Sequence, residues 1–596
     1  MPKKKRTPTK VSREDKEELL NQRIIGTYEK SKNFGFVVPD FKKLPTDIYV
    51  SKKNSKKAKN GQKVLLQITK VPKGGKSIEG EILDVIGSVD TRDIEMKCLV
   101  KEYDVPEKFP KEVLAEAKAI NQLVDKKDIP NRVDFRDLNI FTIDGEDSKD
   151  LDDAISVSKD EKGIYTLGVY IADVSYYVKQ GSFLDKEAIS RGTSIYMLDR
   201  VIPMLPFELS NGICSLNAGE DRFVLAIVMK IDKKGIVKSS KISKGIINVK
   251  ERMTYTNVAK ILENSDKKVI KKYEKYINDF KLMEELAHVL KKRRNSNGSL
   301  NLNIPETKIE FDENGKVIDV RRYELSFANE IIEQFMLTAN EEIAETFYNL
   351  KLPFIYRVHE APDLDKVEEL NKFLFDLGYR VKINKKGEIT PMEFAEILNE
   401  ISGKPEEKVI STFILRTLKL ARYESENKGH FGIASKYYCH FTSPIRRYPD
   451  LFIHRVISEY LNNNNHIPEK KLQKFAKQAT SYAEKSSERE KIAQTIEREA
   501  EDIKKAEFME DKIGEEYDGI ISGITQFGVF VELENTVEGL IRFENLDDDY
   551  YAYNEDKKTL IGEHTGRVFK IGDSIRIRVI EASKLLRRVS FALVSK

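Results

Sequence analysis

Six acidic side chains crowd into the ten residues from Asp144 to Asp153, within Ile143-Asp-Gly-Glu-Asp-Ser-Lys-Asp-Leu-Asp-Asp-Ala154. With Lys149 among them the local charge is −5. Carboxylates that splay into water repel one another weakly, but carboxylates that converge in a cleft need cations to stay ionised. Aspartate oxygens are short, hard ligands of the kind that suits Mg²⁺ or Mn²⁺. A calcium loop counted from Asp144 would need glycine at its sixth position and glutamate at its twelfth. Lys149 and Ile155 stand there, so that motif is excluded. From the run alone two readings stay open: a metal centre, or an acidic surface turn.

The elements that must position these acids are legible on either side. The apolar stretches Ile140 to Ile143 and Ala154 to Val157 predict two strands meeting at a turn. In a continuous strand Asp150 and Asp152 would share a face and Asp153 would point away, so convergence of all three requires a loop or a bulge. Further on, Thr166 to Val174 and Phe223 to Ile231 read as strands, and Phe280 to Lys292 and Ala328 to Leu350 as helices. Residues 139–461 therefore read as one large α+β domain. Asn462 to Asn465 breaks the pattern. Lys470 to Lys512 follows as a long charged helix, with Leu472, Phe475, Ala476, Ala479, Tyr482 and Ala483 as a packing stripe, and residues 462–512 read as a helical extension of the large domain. Residues 1–22 are a basic polar tail with a short helical stretch at Glu14 to Leu20. Residues 23–87 and 513–596 each show short β runs with frequent turn residues, the pattern of small barrels. Residues 88–138 connect, with a helix expected from Lys111 to Leu123.

The chain has 596 residues, 34% of them charged and 40% hydrophobic, enough for several cored domains with a strongly solvated surface. Three distant cysteines, Cys98, Cys214 and Cys439, provide neither a disulfide framework nor a zinc spacing, which points to a reducing cytoplasm. No apolar run is long enough to span a membrane, and the N-terminus lacks the apolar core of a signal peptide. The basic run Pro2-Lys-Lys-Lys-Arg6 reads as a solvated tail in preference to a nuclear targeting tract. Residues 1–80 carry 21 basic and 8 acidic residues although the whole chain nets only +4, so a polyanion would be steered to one end.

The acidic run is also part of a longer ordered pattern. Thr142 to Ala154 resembles the signature of the ribonuclease II/ribonuclease R family. Ile171-Ala-Asp-Val-Ser175, Arg191-Gly-Thr-Ser194, Val201-Ile-Pro-Met-Leu-Pro206, Leu209 to Leu216, Glu251-Arg-Met-Thr-Tyr255 and His440-Phe-Thr-Ser-Pro-Ile-Arg-Arg-Tyr-Pro-Asp450 follow in the family's order. The resemblance runs from about residue 24 to the end and is nearer to the ribonuclease R branch. It implies a hydrolytic, processive 3′→5′ exoribonuclease releasing nucleoside 5′-monophosphates. It implies two-metal-ion catalysis, with ligation by Asp144, Asp150, Asp152 and Asp153 and with Asp152 most tied to catalysis, and leaves Glu146 and Asp147 as solvated turn residues. Arg446 would hold the scissile phosphate, while Arg447 suits an ion pair or a helix cap. His430 matches a position near the site and equally suits a structural role. Tyr196 matches the tyrosine that stacks on the 3′-terminal base. The family's second clamp aromatic is replaced, since Gly298-Ser-Leu-Asn-Leu302 ends in Leu302.

The flanking barrels carry resemblances of their own. Lys32 to Val37 and Asp47 to Val50 are similar to the RNA-binding motifs of cold-shock domains. Phe34 and Phe36 alternate onto one face, where Tyr49 from a neighbouring strand would complete a stacking platform ringed by Lys30, Lys32, Lys52 and Lys53. Residues 513–596 resemble an S1 domain, another OB-type barrel, with Phe527 and Phe530 as its aromatic pair and Arg542 where many S1 domains have histidine. The expected architecture is thus multidomain α+β: an OB-fold cold-shock barrel, a large catalytic domain and a C-terminal S1 barrel. Its partners would be single-stranded RNA and RNA 3′ ends, with no membrane, and a monomer is the simplest state. The cofactor would be Mg²⁺, with Mn²⁺ as the alternative. The family's longer bacterial members have a further N-terminal winged-helix and cold-shock region and a lysine-rich C-terminal tail, absent from this sequence, which is naturally short or trimmed. The rival readings are an inactive RNA-binding or chaperone protein on the same scaffold, and a DNA nuclease. The four aspartates and Arg446 argue against the first.

Overall fold

A computed structural model describes residues 19–20, 22–40, 46–72, 77–302, 306–375, 377–383, 387–404, 406–546, 548–555 and 558–594. Most of the N-terminal tail, including Glu14 to Glu18 of the helix expected at Glu14 to Leu20, lies outside these residues.

The first barrel closes from β1 (Arg23–Lys30), β2 (Phe34–Pro39), β3 (Ile48–Ser51), β4 (Gln62–Lys70) and β5 (Glu79–Ser88), in the order β1-β2-β3-β5-β4. Alternation drives it: Val37, Ile48, Val50, Val64, Leu66 and Ile68 are fully buried inside. Gly35 is obligatory for packing, because a Cβ there would run into the buried Tyr28 ring. Helix α1 (Ile94–Glu102) then buries Met96, Leu99 and Val100. The helix expected from Lys111 to Leu123 ends at Ala119. Ile120 is extended, and Asn121 bonds the Leu123 N–H through its side chain, the local competition that ends helices at Asn.

The large domain is built on a seven-stranded mixed sheet of β6 (Val133–Asp134), β7 (Phe141–Asp144), β8 (Asp153–Lys159), β9 (Tyr165–Ala172), β12 (Asp221–Ile231), β13 (Val237–Asn248) and β14 (Glu251–Thr254), in the order β14-β7-β8-β9-β12-β13-β6. The ribbon β10 (Ile195–Tyr196) and β11 (Val201–Ile202) stands apart from it. Consecutive residues Leu225, Ala226 and Ile227 are all fully buried, so both faces of β12 are covered. That explains its unbroken apolar run, where a strand with one wet face would alternate. Helices α2 (Ile277–Ser296), α3 (Phe327–Asn349) and, later in the chain, α7 (Tyr448–Asn462) pack on the sheet. Between α3 and α7, α4 (Leu364–Phe375), α5 (Pro391–Ile401) and α6 (Glu407–Thr417) make a separate small core with Phe394, Ile410 and Phe431. Leu300 and Leu302 pack against the edge of that core.

The 42-residue helix α8 (Glu469–Glu510) runs past all three units. It touches α1, α7 and β10, and then the second barrel. That barrel closes from β15 (Glu516–Thr525), β16 (Gly528–Leu533), β17 (Glu538–Arg542), β18 (Ser574–Ser583) and β19 (Arg588–Leu593). Among the described residues no helix is long and apolar enough to cross a membrane.

Candidate active site

Asp144 is the last residue of β7 and Asp153 the first of β8. The acids between them sit on a loop, which frees Asp150, Asp152 and Asp153 from strand alternation. The loop is pinned from outside. Ser215 Oγ donates to the Lys149 carbonyl at 2.8 Å and accepts from the Leu151 N–H at 3.1 Å, and Leu216 N–H donates to the Leu151 carbonyl at 3.0 Å. Arg252 donates to the carbonyls of Gly145, Glu146 and Ser148, fixing the exposed half of the turn. Glu146 and Asp147 there are exposed.

A pocket of about 280 Å³ is lined by Asp144, Asp150, Asp152 and Asp153, with Arg446 and Arg447 opposite. Tyr255, Glu333, Asn340, Tyr438, His440 and Thr442 complete its wall. A larger groove beside Arg293, Arg294 and Glu341 contains none of the residues singled out from the sequence.

Asp152 is 4% exposed and accepts from the Ile445 N–H at 2.8 Å. Its other oxygen lies 3.8 Å from Arg446 Nε, which is an ion pair without a hydrogen bond. Burial drives the Asp152 carboxyl well above the ordinary carboxylate range, although Arg446 and the Ile445 N–H pull it down. Asp144 and Asp153 are also raised, chiefly by burial, and for Asp144 next by repulsion from Asp153. Asp144 Oδ2 and Asp152 Oδ2 are buried without a hydrogen-bond partner. Such a cluster is costly as protein alone and is relieved by cations. Among the described residues no three His, Cys, Asp or Glu side chains close into a ready-made metal cage. All-oxygen donors, unpartnered buried oxygens and an open wall all fit a hard divalent ion.

Two distant motifs hold the far wall. Ser194 N–H and Thr193 Oγ1 both donate to the Arg446 carbonyl, at 2.9 and 3.0 Å, and Tyr448 N–H donates to the Gly192 carbonyl. Gly192 has φ +72°, and a Cβ there would press on Arg489. The Arg446 side chain stays 43% exposed, with one donor on Ser443 Oγ. Arg447 is turned inward as a two-pronged partner of the fully buried Asp450. Tyr196 follows two residues after Ser194. Its hydroxyl donates to Asp150 at 2.5 Å, its N–H donates to Glu497 of α8, and the residue remains 36% exposed at the rim.

His430 stands behind the pocket wall. Its ring packs edge-on against Tyr438 and His359, and burial lowers its pKa to about 3, so it is neutral. His440 is the histidine at the wall, where it accepts or donates a bond with the Tyr423 hydroxyl. Asn340 was also missed by sequence reasoning: its side chain accepts from the Phe441 N–H at 2.8 Å and so aligns the wall segment. His440 could have been found, since it opens the same motif as Arg446. Asn340 and Glu333 lie on the amphipathic α3, and nothing in their spacing distinguishes them.

On the first barrel, Phe34, Phe36 and Tyr49 are half-buried, with ring centroids 5.5 to 6.0 Å apart. Lys30, Lys32, Lys52 and Lys53 around them are exposed. On the second barrel Phe527 is 67% exposed, Phe530 half-buried, and the Arg542 side chain 38% exposed beside Glu544.

This arrangement defines an RNB-domain protein with an OB-type barrel at each end. The RNB domain pattern matches residues 132–463, the cold shock domain pattern 36–110 and the S1 RNA binding domain pattern 510–593. Ribonuclease R of Thermotoga maritima is 42% identical over 579 residues, covering 96% of this chain and 81% of that protein. Ribonuclease R of Escherichia coli is 33% identical, covering 96% of this chain and 71% of that protein. The structure of Mycoplasma genitalium RNase R in complex with ribose-methylated single-stranded RNA superposes with a TM-score of 0.89 at 29% identity, over 96% of this chain and 90% of that one. The chain belongs to the ribonuclease R family.

Proposed function

We propose that the four aspartates and Arg446 form the hydrolytic centre of a processive exoribonuclease, with Tyr196 seating the last base. The chain is a 3′→5′ exoribonuclease that binds single-stranded RNA. Nucleases of this kind use a divalent metal, and here Mg²⁺, with Mn²⁺ as the alternative, is our assignment. The observation that carries the reading is the convergence of all four aspartates on one pocket with a half-exposed arginine facing them.

Hydrolysis of the last phosphodiester adds water at phosphorus and breaks the P–O3′ bond. It releases a nucleoside 5′-monophosphate and leaves a new 3′-hydroxyl. When bound, the metal supplies a water of lowered pKa and positive charge near the attacking and leaving oxygens. Asp144, Asp150, Asp152 and Asp153 would hold it. Arg446 projects its guanidinium toward the phosphate, where its fork binds non-bridging oxygens as charge builds on them. The double anchoring of its carbonyl by Thr193 and Ser194 fixes the Arg446 backbone to the segment that carries Tyr196. The exposed face of Tyr196 offers a stacking surface tolerant of any base. His430, neutral and behind Tyr438, supports that wall. Phe34, Phe36 and Tyr49 on one barrel, and Phe527, Phe530 and Arg542 on the other, hold the upstream strand. We place a monomer in the reducing cytoplasm, in keeping with three free, buried cysteines.

The test uses 5′-labelled RNA and DNA, with Mg²⁺ and then with EDTA. Progressive shortening of RNA to short 5′-labelled products, only with metal, is expected. Asp152→Asn should abolish shortening while RNA binding persists, and equal turnover by that variant would overturn the assignment. An inactive scaffold is the reading left if the wild-type chain binds RNA and never shortens it.

A further inference from the structure

We propose that the RNA platform of the C-terminal barrel is composite: Arg416, from helix α6 of the large domain, supplies a phosphate contact beside Phe530. RNA would then cross from barrel to large domain on a bridge made by both.

The geometry starts with register. Phe530 pairs with Gly523 on one side and Leu540 on the other, and Gly528 pairs with Arg542. Strand alternation therefore puts Phe530, Glu532 and Arg542 on one outward face. Helix α6 lies along this face. At its start Lys408 pairs with Glu532 at 2.7 Å, and Val409 is packed so closely on the barrel turn that a Cβ at Gly572 would lie 3.0 Å from its side chain. At its end, eight residues and about 12 Å further on, Arg416 reaches the neighbourhood of Phe530. A Cβ placed at Gly523 would lie 3.7 Å from the Phe530 ring and 4.0 Å from an Arg416 terminal nitrogen. Gly523 is buried although its strand faces outward there, because these two side chains cover it.

Arg416 is exposed and forms no ion pair among the described residues. Position alone gives it a bland role, a cation in the last turn of a helix, where the macrodipole favours positive charge. That role does not require the guanidinium to lie beside an aromatic ring of another domain. The charges on the face are also sorted. The carboxylates Glu532 and Glu538 lie toward the start of α6, and Lys408 neutralises the first. Arg416 and Arg542 lie at the Phe530 end, Arg542 with the exposed Glu544 at 3.8 Å, and Phe527 is exposed beyond. A base stacked on Phe530 would thus have its phosphate between two guanidinium groups, the arrangement that single-stranded RNA binding combines from stacking and charge. The proposal rests on the reading of the chain as an RNA-degrading enzyme.

The test compares wild type, Arg416→Ala and Arg416→Lys, each as the full chain. Binding of a long single-stranded RNA is measured in EDTA across a salt series, and hydrolysis of a ribotrinucleotide, too short to span two domains, is measured in Mg²⁺. For Arg416→Ala we expect affinity for the long RNA to fall roughly five- to tenfold, with the slope of log K against log salt reduced by about 0.7, the value for one phosphate contact on a single strand. Arg416→Lys should recover most of the slope. Trinucleotide hydrolysis should be unchanged in both. An unchanged affinity and slope for Arg416→Ala would overturn the proposal, and so would an equal loss on the trinucleotide, which would mark Arg416 as structural. If wild type binds the long RNA in EDTA but hydrolyses neither it nor the trinucleotide when Mg²⁺ is added, the exoribonuclease reading fails, and the binding series still decides the role of Arg416.

Discussion

Ser215→Ala removes one oxygen atom that never faces the pocket, and it should still cripple hydrolysis. The backbone of the inner stretch of the aspartate loop, Lys149 to Leu151, is held by three hydrogen bonds, two of them made by Ser215 Oγ. The Lys149 carbonyl is on an exposed residue and can turn to water. The Leu151 N–H cannot, because Leu151 is 1% exposed, and an orphaned buried donor costs about 1–3 kcal/mol. The loop can relieve that cost by shifting toward solvent, carrying Asp150 and Asp152 on either side of Leu151 with it. Each 1.4 kcal/mol lost in the transition state is about tenfold in rate, so kcat/KM should fall about ten- to hundredfold. The global fold, held by the sheet core, should persist. The assay is RNA shortening at saturating Mg²⁺, paired with circular dichroism and with RNA binding in EDTA. Retention of kcat/KM within about twofold in a normally folded Ser215→Ala protein would refute the claim that this anchor sets the carboxylate geometry. Loss of RNA binding together with activity would show instead that the fold had failed.

Tyr196→Phe keeps the ring and removes the bond to Asp150, whereas Tyr196→Ala removes both. The alanine variant should leave longer end products and weaken binding of RNA 3′ ends by about 1–3 kcal/mol, while the phenylalanine variant should bind normally and alter the metal concentration needed for half-maximal rate; identical behaviour of the two would deny the ring its role. Phe34→Ala with Phe36→Ala should weaken long single-stranded RNA binding and leave trinucleotide hydrolysis intact, measured by filter binding and product release. Asp173 offers a pH test away from the pocket. Burial alone would raise its carboxyl, but Arg132 at 2.7 Å, with Lys244, brings it below the ordinary range. A depressed folded-state pKa stabilises the fold above the unfolded value of about 3.9 and loses that contribution as pH falls toward the folded value. Asp173→Asn should therefore lower Tm at neutral pH, where Arg132 is left buried and unpaired, and the gap from wild type should narrow below about pH 4. A gap independent of pH would reject this pairing.

Much of this molecule can be read without coordinates. Periodicity places β9, β12, α2, α3 and α8, because a buried stripe or an unbroken apolar run is a local property of the chain. The acidic run narrows its own reading to a metal centre or an acidic surface turn, and the alternation of Phe34 and Phe36 announces a shared face. Helix ends are less legible: the stretch after Lys111 keeps helical composition past Ala119, yet Asn121 diverts the backbone. The site itself needed the tertiary structure. That Asp150, Asp152 and Asp153 converge depends on a loop anchored by Ser215, and nothing in their spacing encodes that anchor. Asp152 meets the Ile445 N–H across 293 residues, Thr193 meets Arg446 across 253, and Lys408 meets Glu532 across two domains. Residue types specify what each side chain can do, whereas long-range hydrogen bonds decide which side chains do it together. Those bonds form between segments whose local sequences contain no record of each other.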